Sequence, residues 1–227
     1  MLGLYINLEH RKDRNEHILS LINTIPFFSN VKRFNAIKHD KGIIGCGMSH
    51  NKCLENLKNL VDQNNKDNQY NQYYDIQPNN YVMIMEDDFM IHNMENFNNF
   101  VTDFENIKND NDWNIITLTP RGYTDKSYTK YNDNNFLRII HSCTTTCYII
   151  KTDFINILQE KFNIGVQNML KGESKEYNAL DIMWIPLQHE YIFLYYNKIF
   201  AKQLPSYSDI ENHYVDYTER FITQLEY

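Results

Sequence analysis

The stretch VMIMEDDFMI, residues 82–91, constrains the fold of this chain more than any other. Apolar residues flank three consecutive acids, Glu86, Asp87 and Asp88. The apolar run reads as a buried strand, which places three carboxylates at its end. Asp and Glu are rarely buried without a partner, because an unpaired buried charge is costly. A fold that accepts this segment must therefore bring positive charge to it.

The rest of the chain alternates strands and helices. GLYINL (3–8) reads as a buried strand, RKDRNEHILSLINTI (11–25) as a helix ended by Pro26, and VKRFNAI (31–37) as a second strand. GIIGCGMSHNKCLENLKNLV suggests a Gly-rich turn leading into a helix. Strand YVMIMED, a helix near 94–108 and strand WNIITLT (113–119) follow, then a polar loop over 120–135. FLRIIHS (136–142) and TCYIIK (146–151) read as strands. TDFINILQEKF reads as a helix, and YNALDIMWIPLQHE as another, broken near Pro186. YIFLYYNKIFAKQL has strand character, while the tail after Pro205 has no clear assignment. This alternation predicts an α/β fold with a single mixed, mostly parallel sheet flanked by helices. Residues 1–227 read as one domain, with 62–80 a polar surface insertion. Ligands of such sheets sit beyond the carboxyl ends of the strands, where the three acids fall.

Composition narrows the function. Hydrophobic residues make up 42% of the 227, enough for a core. A net charge of -7 disfavours a nucleic-acid backbone as partner but leaves room for a nucleotide on a local basic patch. No apolar run is long enough to span a bilayer, and the N-terminus lacks the order of a signal peptide. A cytoplasmic or virion-associated location is the expectation. Cys46, Cys53, Cys143 and Cys147 lack the paired spacing of a zinc site and read as free thiols of a reducing compartment. The Asn, Ile, Lys and Tyr bias points to an A/T-rich genome, not to a function.

Three segments carry chemistry. On an extended chain Glu86 and Asp88 share a face and Asp87 takes the other, so Glu86 and Asp88 suit a hard divalent cation such as Mn²⁺ or Mg²⁺; a solvated acidic turn is the alternative. Arg11, Lys12 and Arg14 follow the first strand, and arginine pairs suit phosphate, although charged helix starts look the same. Ser49 and His50 follow small residues and are adjacent in sequence, a poor arrangement for a hydrolase triad. Neither a P-loop nor GxGxxG occurs, and a metal-dependent phosphohydrolase would want more His and Asp motifs.

Together these motifs resemble glycosyltransferase family 25, which includes lipooligosaccharide sugar transferases and collagen hydroxylysine galactosyltransferases. INLEHRKDR matches the family's strand and Arg-x-x-Arg pair at Asn7, Arg11 and Arg14. RFNAI is similar to its RF-x-A strand. GIIGCGMSH matches G-x-x-G-C-x-x-S-H at Gly42, Gly45, Cys46, Ser49 and His50. VMIMEDD matches the hydrophobic-then-EDD strand, Asp181 in NALDIMW takes the late acidic position, and QLPSYSDIE resembles the family's Gln…Ser-Asp-Ile ending at Gln203, Ser208 and Asp209. The Thr-rich TTT at 144–146, where Gly or Ala is usual, and the 62–80 insert depart from the pattern.

The resemblance implies a GT-A fold and a metal-dependent, inverting hexosyltransferase using a UDP-sugar. Galactose, glucose or N-acetylglucosamine would pass to a hydroxyl of a glycan or collagen-like protein. It implies Asp88, with Glu86, on Mn²⁺, and Glu86 or Asp87 near the ribose. Asn7, Arg11, Arg14, Ser49, His50, Gln203, Ser208 and Asp209 would hold the nucleotide sugar. An inverting reaction needs a base; Asp181 is the expected one, with Asp209 the competitor and a plain helix-capping Asp the structural alternative. A catalytically inactive GT-A module binding nucleotide or glycan is the other function class.

Overall fold

The computed structural model describes residues 1–70 and 80–219. The elements run β1 (Gly3–Asn7), α1 (Lys12–Thr24), β2 (Val31–Asn35), α2 (Gly42–Tyr70), β3 (Tyr81–Glu86), β4 (Phe89–Ile91), α3 (Met94–Ile107), β5 (Ile115–Thr117), β6 (Gly122–Asp125), β7 (Phe136–Ser142) and β8 (Cys147–Lys151). Then come α4 (Ile155–Leu170), α5 (Lys175–Asn178), α6 (Leu180–Met183), α7 (Ile185–Glu190), β9 (Phe193–Tyr196), β10 (Ala201–Gln203), β11 (Ser206–Ser208) and β12 (His213–Val215).

Eight strands form one mixed sheet in the order β2-β1-β3-β8-β5-β9-β7-β6. The α/β class is as expected. Strands β7 and β8 are antiparallel to both their neighbours, so the other six run one way. The apolar run of β3 is explained by cover on both faces. Met83 and Met85 join Ile18 of α1 and Phe97, Phe100 and Phe104 of α3 in one core. Val82 and Ile84 join Leu54 and Leu57 of α2 and Leu158 and Phe162 of α4 in the other. The three phenylalanines of α3 follow helical spacing, and Asn93 caps that helix by accepting from the Asn96 amide at 3.0 Å. No described helix is long and apolar enough to cross a membrane.

Several details differ from the sequence expectation. The small residues at 42–47 form no turn: they lie inside the first turns of α2. Their smallness serves close packing. A Cβ on Gly45 would stand 2.6 Å from the Ile37 carbonyl oxygen, and one on Gly42 2.8 Å from that of Asp209. The loop at 120–135 contains β6, and the tail folds back as the β11–β12 hairpin. The late helix breaks at Ala179 and Trp184, and Pro186 sits in the first turn of α7 instead of breaking it. Of the 62–80 insertion, residues 62–70 continue α2, and 71–79 lie outside the described residues.

Gly45→Ala tests the close approach. Alanine favours a helix interior by about 1 kcal/mol over glycine, but here its methyl meets a backbone carbonyl that cannot step aside. Denaturant unfolding should show a net loss of about 1–3 kcal/mol, the usual cost of overpacking; an unchanged or raised midpoint would contradict the packing role.

Candidate functional site

A cavity of about 540 Å³ opens at the carboxyl ends of β1 and β3. The loop after β1, the first turns of α2, the end of β3, the threonines before β8, the start of α6 and the β11–β12 hairpin all contribute to its walls. This is the place a ligand takes in an open α/β sheet.

The three acids do not alternate across a strand as expected. Strand β3 ends at Glu86, and Asp87 and Asp88 form the turn into β4. Both aspartates therefore meet the same cation. Arg14 Nη1 donates to Asp87 Oδ1 at 2.9 Å and lies 3.4 Å from Asp88 Oδ2. Its Nη2 donates to Ser206 Oγ at 2.7 Å and to the Tyr207 carbonyl at 3.0 Å, tying the acids to the C-terminal hairpin. Asn7 Nδ2 completes the Asp87 side at 2.7 Å, and Arg33 Nε donates to Asn7 Oδ1 at 2.9 Å. Glu86 takes the other side, where its Oε1 accepts from Thr145 Oγ1 at 3.0 Å and lies 3.3 Å from His50 Nε2.

Asp88 is the least satisfied of the three. Gln203 Nε2 reaches its Oδ2 at 3.4 Å, while the buried Oδ1 has no hydrogen-bond partner. Burial disfavours its charge, and Arg14 only partly restores it, so its pKa is pushed up to about 7. Burial also raises Asp87, against Arg14 and Asn7. Asp181, at the start of α6, is pushed up to about 6, again by burial, with Arg121 opposing and Glu86 adding to the rise.

Nine of the twelve residues singled out from sequence line this cavity: Arg14, Ser49, the acids 86–88, Asp181, Gln203, Ser208 and Asp209. The other three stand directly behind it. Asn7 holds Asp87, His50 faces Glu86, and Arg11 Nη1 donates to Asp209 Oδ2 at 2.6 Å. Two assignments change character. Arg11 also bridges Asp13 through Nε and Nη2 and donates to the Tyr207 carbonyl, so it is engaged by protein oxygens rather than turned to a ligand. Ser49 is fully buried; its Oγ donates to the Gly45 carbonyl at 2.7 Å and accepts from the Ile37 amide at 2.8 Å, pinning the strap after β2 onto α2.

Sequence reasoning missed several wall residues. Arg121 enters from what read as a polar loop, and its guanidinium lies 5.9 Å from the Tyr217 ring centre. Cys46 and Cys143 line the cavity as free thiols. Cys46 and Thr145 stood inside motifs that the sequence did show, one in the G-x-x-G-C block and one in the TTT departure; Arg121 carried no local signal.

No family model matches the sequence, and no curated protein matches it either. Among solved structures, the fold is similar to a glycosyltransferase involved in the glycosylation of the major capsid of PBCV-1. There the TM-score is 0.44 at 9% identity, over 97% of this chain and 89% of that one. It is also similar to mannose-1-phosphate geranyltransferase from Thermus thermophilus, with a TM-score of 0.37 at 7% identity, over 85% of this chain and 58% of that one.

The Arg14 cluster makes a stability prediction. Removing one member of a buried ion pair leaves an uncompensated charge and costs about 3–5 kcal/mol. Arg14→Ala should lose that much by denaturant unfolding at pH 7, and adding Asp87→Asn should restore part of it. Additive losses in the double variant would show that the two groups do not interact.

Proposed function

We propose that this chain is a GT-A glycosyltransferase that moves a hexose from a UDP-sugar to an acceptor hydroxyl, as the family 25 resemblance implies. The observation that carries the reading is convergence. The late acid Asp181, the EDD acids and the Gln…Ser-Asp ending come from remote parts of the chain and line one cavity at the strand ends. A fold using these residues only for solubility would have no reason to gather them around one cavity.

Asp88 fits the role of cation ligand best. It is a hard oxygen donor with one buried oxygen unpartnered and a cavity beside it. Glu86, expected beside it, has its Oε1 turned to Thr145 and His50. A divalent cation on Asp88 would neutralise the diphosphate of the donor. Arg14 orients Asp88 and Asp87, and Arg121 offers positive charge on the cavity wall. Gln203, Ser208 and Asp209 form the hairpin side of the donor pocket. Asp181 is the base that takes the acceptor proton: its raised pKa, near 6, makes it a stronger proton acceptor while it stays ionised at neutral pH. Acceptors of this chemistry include hydroxylysine of a collagen-like protein, a lipid-linked sugar, or a virion or cell-surface glycan.

A panel of nucleotide sugars, assayed for Mn²⁺-stimulated hydrolysis and transfer, tests the reading; binding of UDP with no turnover on any donor would favour the inactive module instead. Within that assay, Asp181→Asn should lower kcat about 10²–10⁴-fold with donor affinity nearly unchanged, and wild-type kcat should fall as pH drops below about 6. Near-normal kcat in Asp181→Asn with a collapse in Asp209→Asn would exchange the two roles. Stability gives an independent readout. A carboxyl whose folded pKa is raised stabilises the fold when protonated and loses that contribution as pH rises through about 6. Asp181→Asn should therefore be more stable than wild type at pH 8, by about 1–3 kcal/mol, and not at pH 3. Equal stability at pH 8 would show that the carboxylate is solvated.

A further inference from the structure

At the end of β3, beside the Asp87–Asp88 turn, Glu86 belongs to a second group of ligating side chains that the geometry sets apart from the Asp88 cation position. Cys46 and His50 stand four residues apart on α2 and so share a face of that helix. Both meet Glu86 at the end of β3. One ligand atom from each of the three lies within 4.8 Å of the others.

The contact between His50 and Glu86 is at ion-pair distance, and its geometry also fits two ligands of one cation. His50 is fully buried, and its Nε2 has no hydrogen-bond partner although Glu86 Oε1 is 3.3 Å away. That spacing suits an edge of a zinc tetrahedron, since Zn–N and Zn–O bonds of about 2.0–2.2 Å place their ligand atoms about 3.4 Å apart. The remaining ring nitrogen, Nδ1, is held by the Tyr148 hydroxyl at 3.1 Å, and the His50 ring stacks on Tyr148 with centres 5.9 Å apart. Metal-binding histidines are commonly fixed through the second nitrogen in this way. Thr145 Oγ1 donates to the same Glu86 oxygen, Oε1, at 3.0 Å. Cys46 and Glu86 line the cavity, so a cation between them would border it.

We propose that Cys46, His50 and Glu86 bind one zinc-class divalent cation, with a fourth coordination position facing the cavity. One thiolate, one imidazole and one carboxylate form a mixed donor set suited to zinc, unlike the all-oxygen sites of Mg²⁺ and Ca²⁺. Binding releases the Cys46 thiol proton to solvent. A cysteine binds a metal as the thiolate, so the cation takes the place of the thiol proton. The site is distinct from Asp88, which faces Arg14 and Gln203. With three protein ligands and one open position it has the form of a reactive rather than a closed structural site.

Cobalt titration of the chelator-treated full chain reads this directly. Co²⁺ at one equivalent should give a thiolate-to-cobalt charge-transfer absorption and the visible bands of a tetrahedral ion. Zn²⁺ should bleach both, and Mn²⁺ should bleach neither. Cys46→Ser should abolish the charge-transfer band, while Cys143→Ser and Asp88→Asn should retain it. No charge-transfer band in the wild type, or bleaching by Mn²⁺, overturns the proposal without any variant having to fold. A band that survives Cys46→Ser or disappears with Cys143→Ser overturns it as well. Because the readout needs no donor or acceptor, the proposal stands or falls apart from the transferase reading.

Discussion

One arginine makes the EDD turn tolerable. Arg14 lies between Asp87 and Asp88 and binds the hairpin that closes the cavity from above the turn. Without it, two neighbouring carboxylates would face each other in a low-dielectric site with only the amides of Asn7 and Gln203 to answer them. The guanidinium is suited to this work: it stays charged when buried and spreads its donors over a planar fork of three nitrogens, whereas a lysine donates from one and loses its charge more readily on burial. Much of the site's geometry follows. The loop after β1 must pass close to the end of β3, and the C-terminal hairpin must reach back across the sheet to meet it.

That arrangement also sorts the acids by environment. Asp87 is saturated by Arg14 and Asn7 and serves as an anchor. Asp88 shares Arg14 at longer range and keeps one oxygen unpartnered, the observation on which the proposed cation role rests. Glu86 belongs to a separate neighbourhood with His50, Cys46 and Thr145. Asp181 approaches from α6, where Arg121 is the opposing cation, and burial raises its pKa. Acids with pKa values pushed apart by their surroundings can take different parts in one reaction.

The sequence was most legible where local pattern and burial agree. YVMIMED (81–87) reads as a buried strand, and β3 takes in all of it but Asp87; FLRIIHS matches β7 end to end. Asp87 and Asp88 were legible as buried acids needing charge, but their sharing of Arg14 was not, because the strand ends at Glu86, two residues before the Asp88 that alternation assumed to be extended. The small residues at 42–47 looked like a turn since glycine serves both turns and close packing, and only the position of the Ile37 carbonyl decides between them. Arg11 and Ser49 carried the expected residue types, yet their partners, Asp209 and the Ile37 amide, lie on other segments. The Cys46–His50 spacing was visible, but nothing local linked it to Glu86.

Calorimetric titration of UDP into the chain, in Mn²⁺ and in excess chelator, with Asp88→Asn measured alongside, tests the central claim most directly: that Arg14 leaves Asp88 as the acid available for a cation. The account predicts affinity at least tenfold tighter in Mn²⁺ for the wild type, about 1.4 kcal/mol, and no such gain in Asp88→Asn. Equal affinity with and without Mn²⁺, or a Mn²⁺ gain that survives Asp88→Asn, would contradict it.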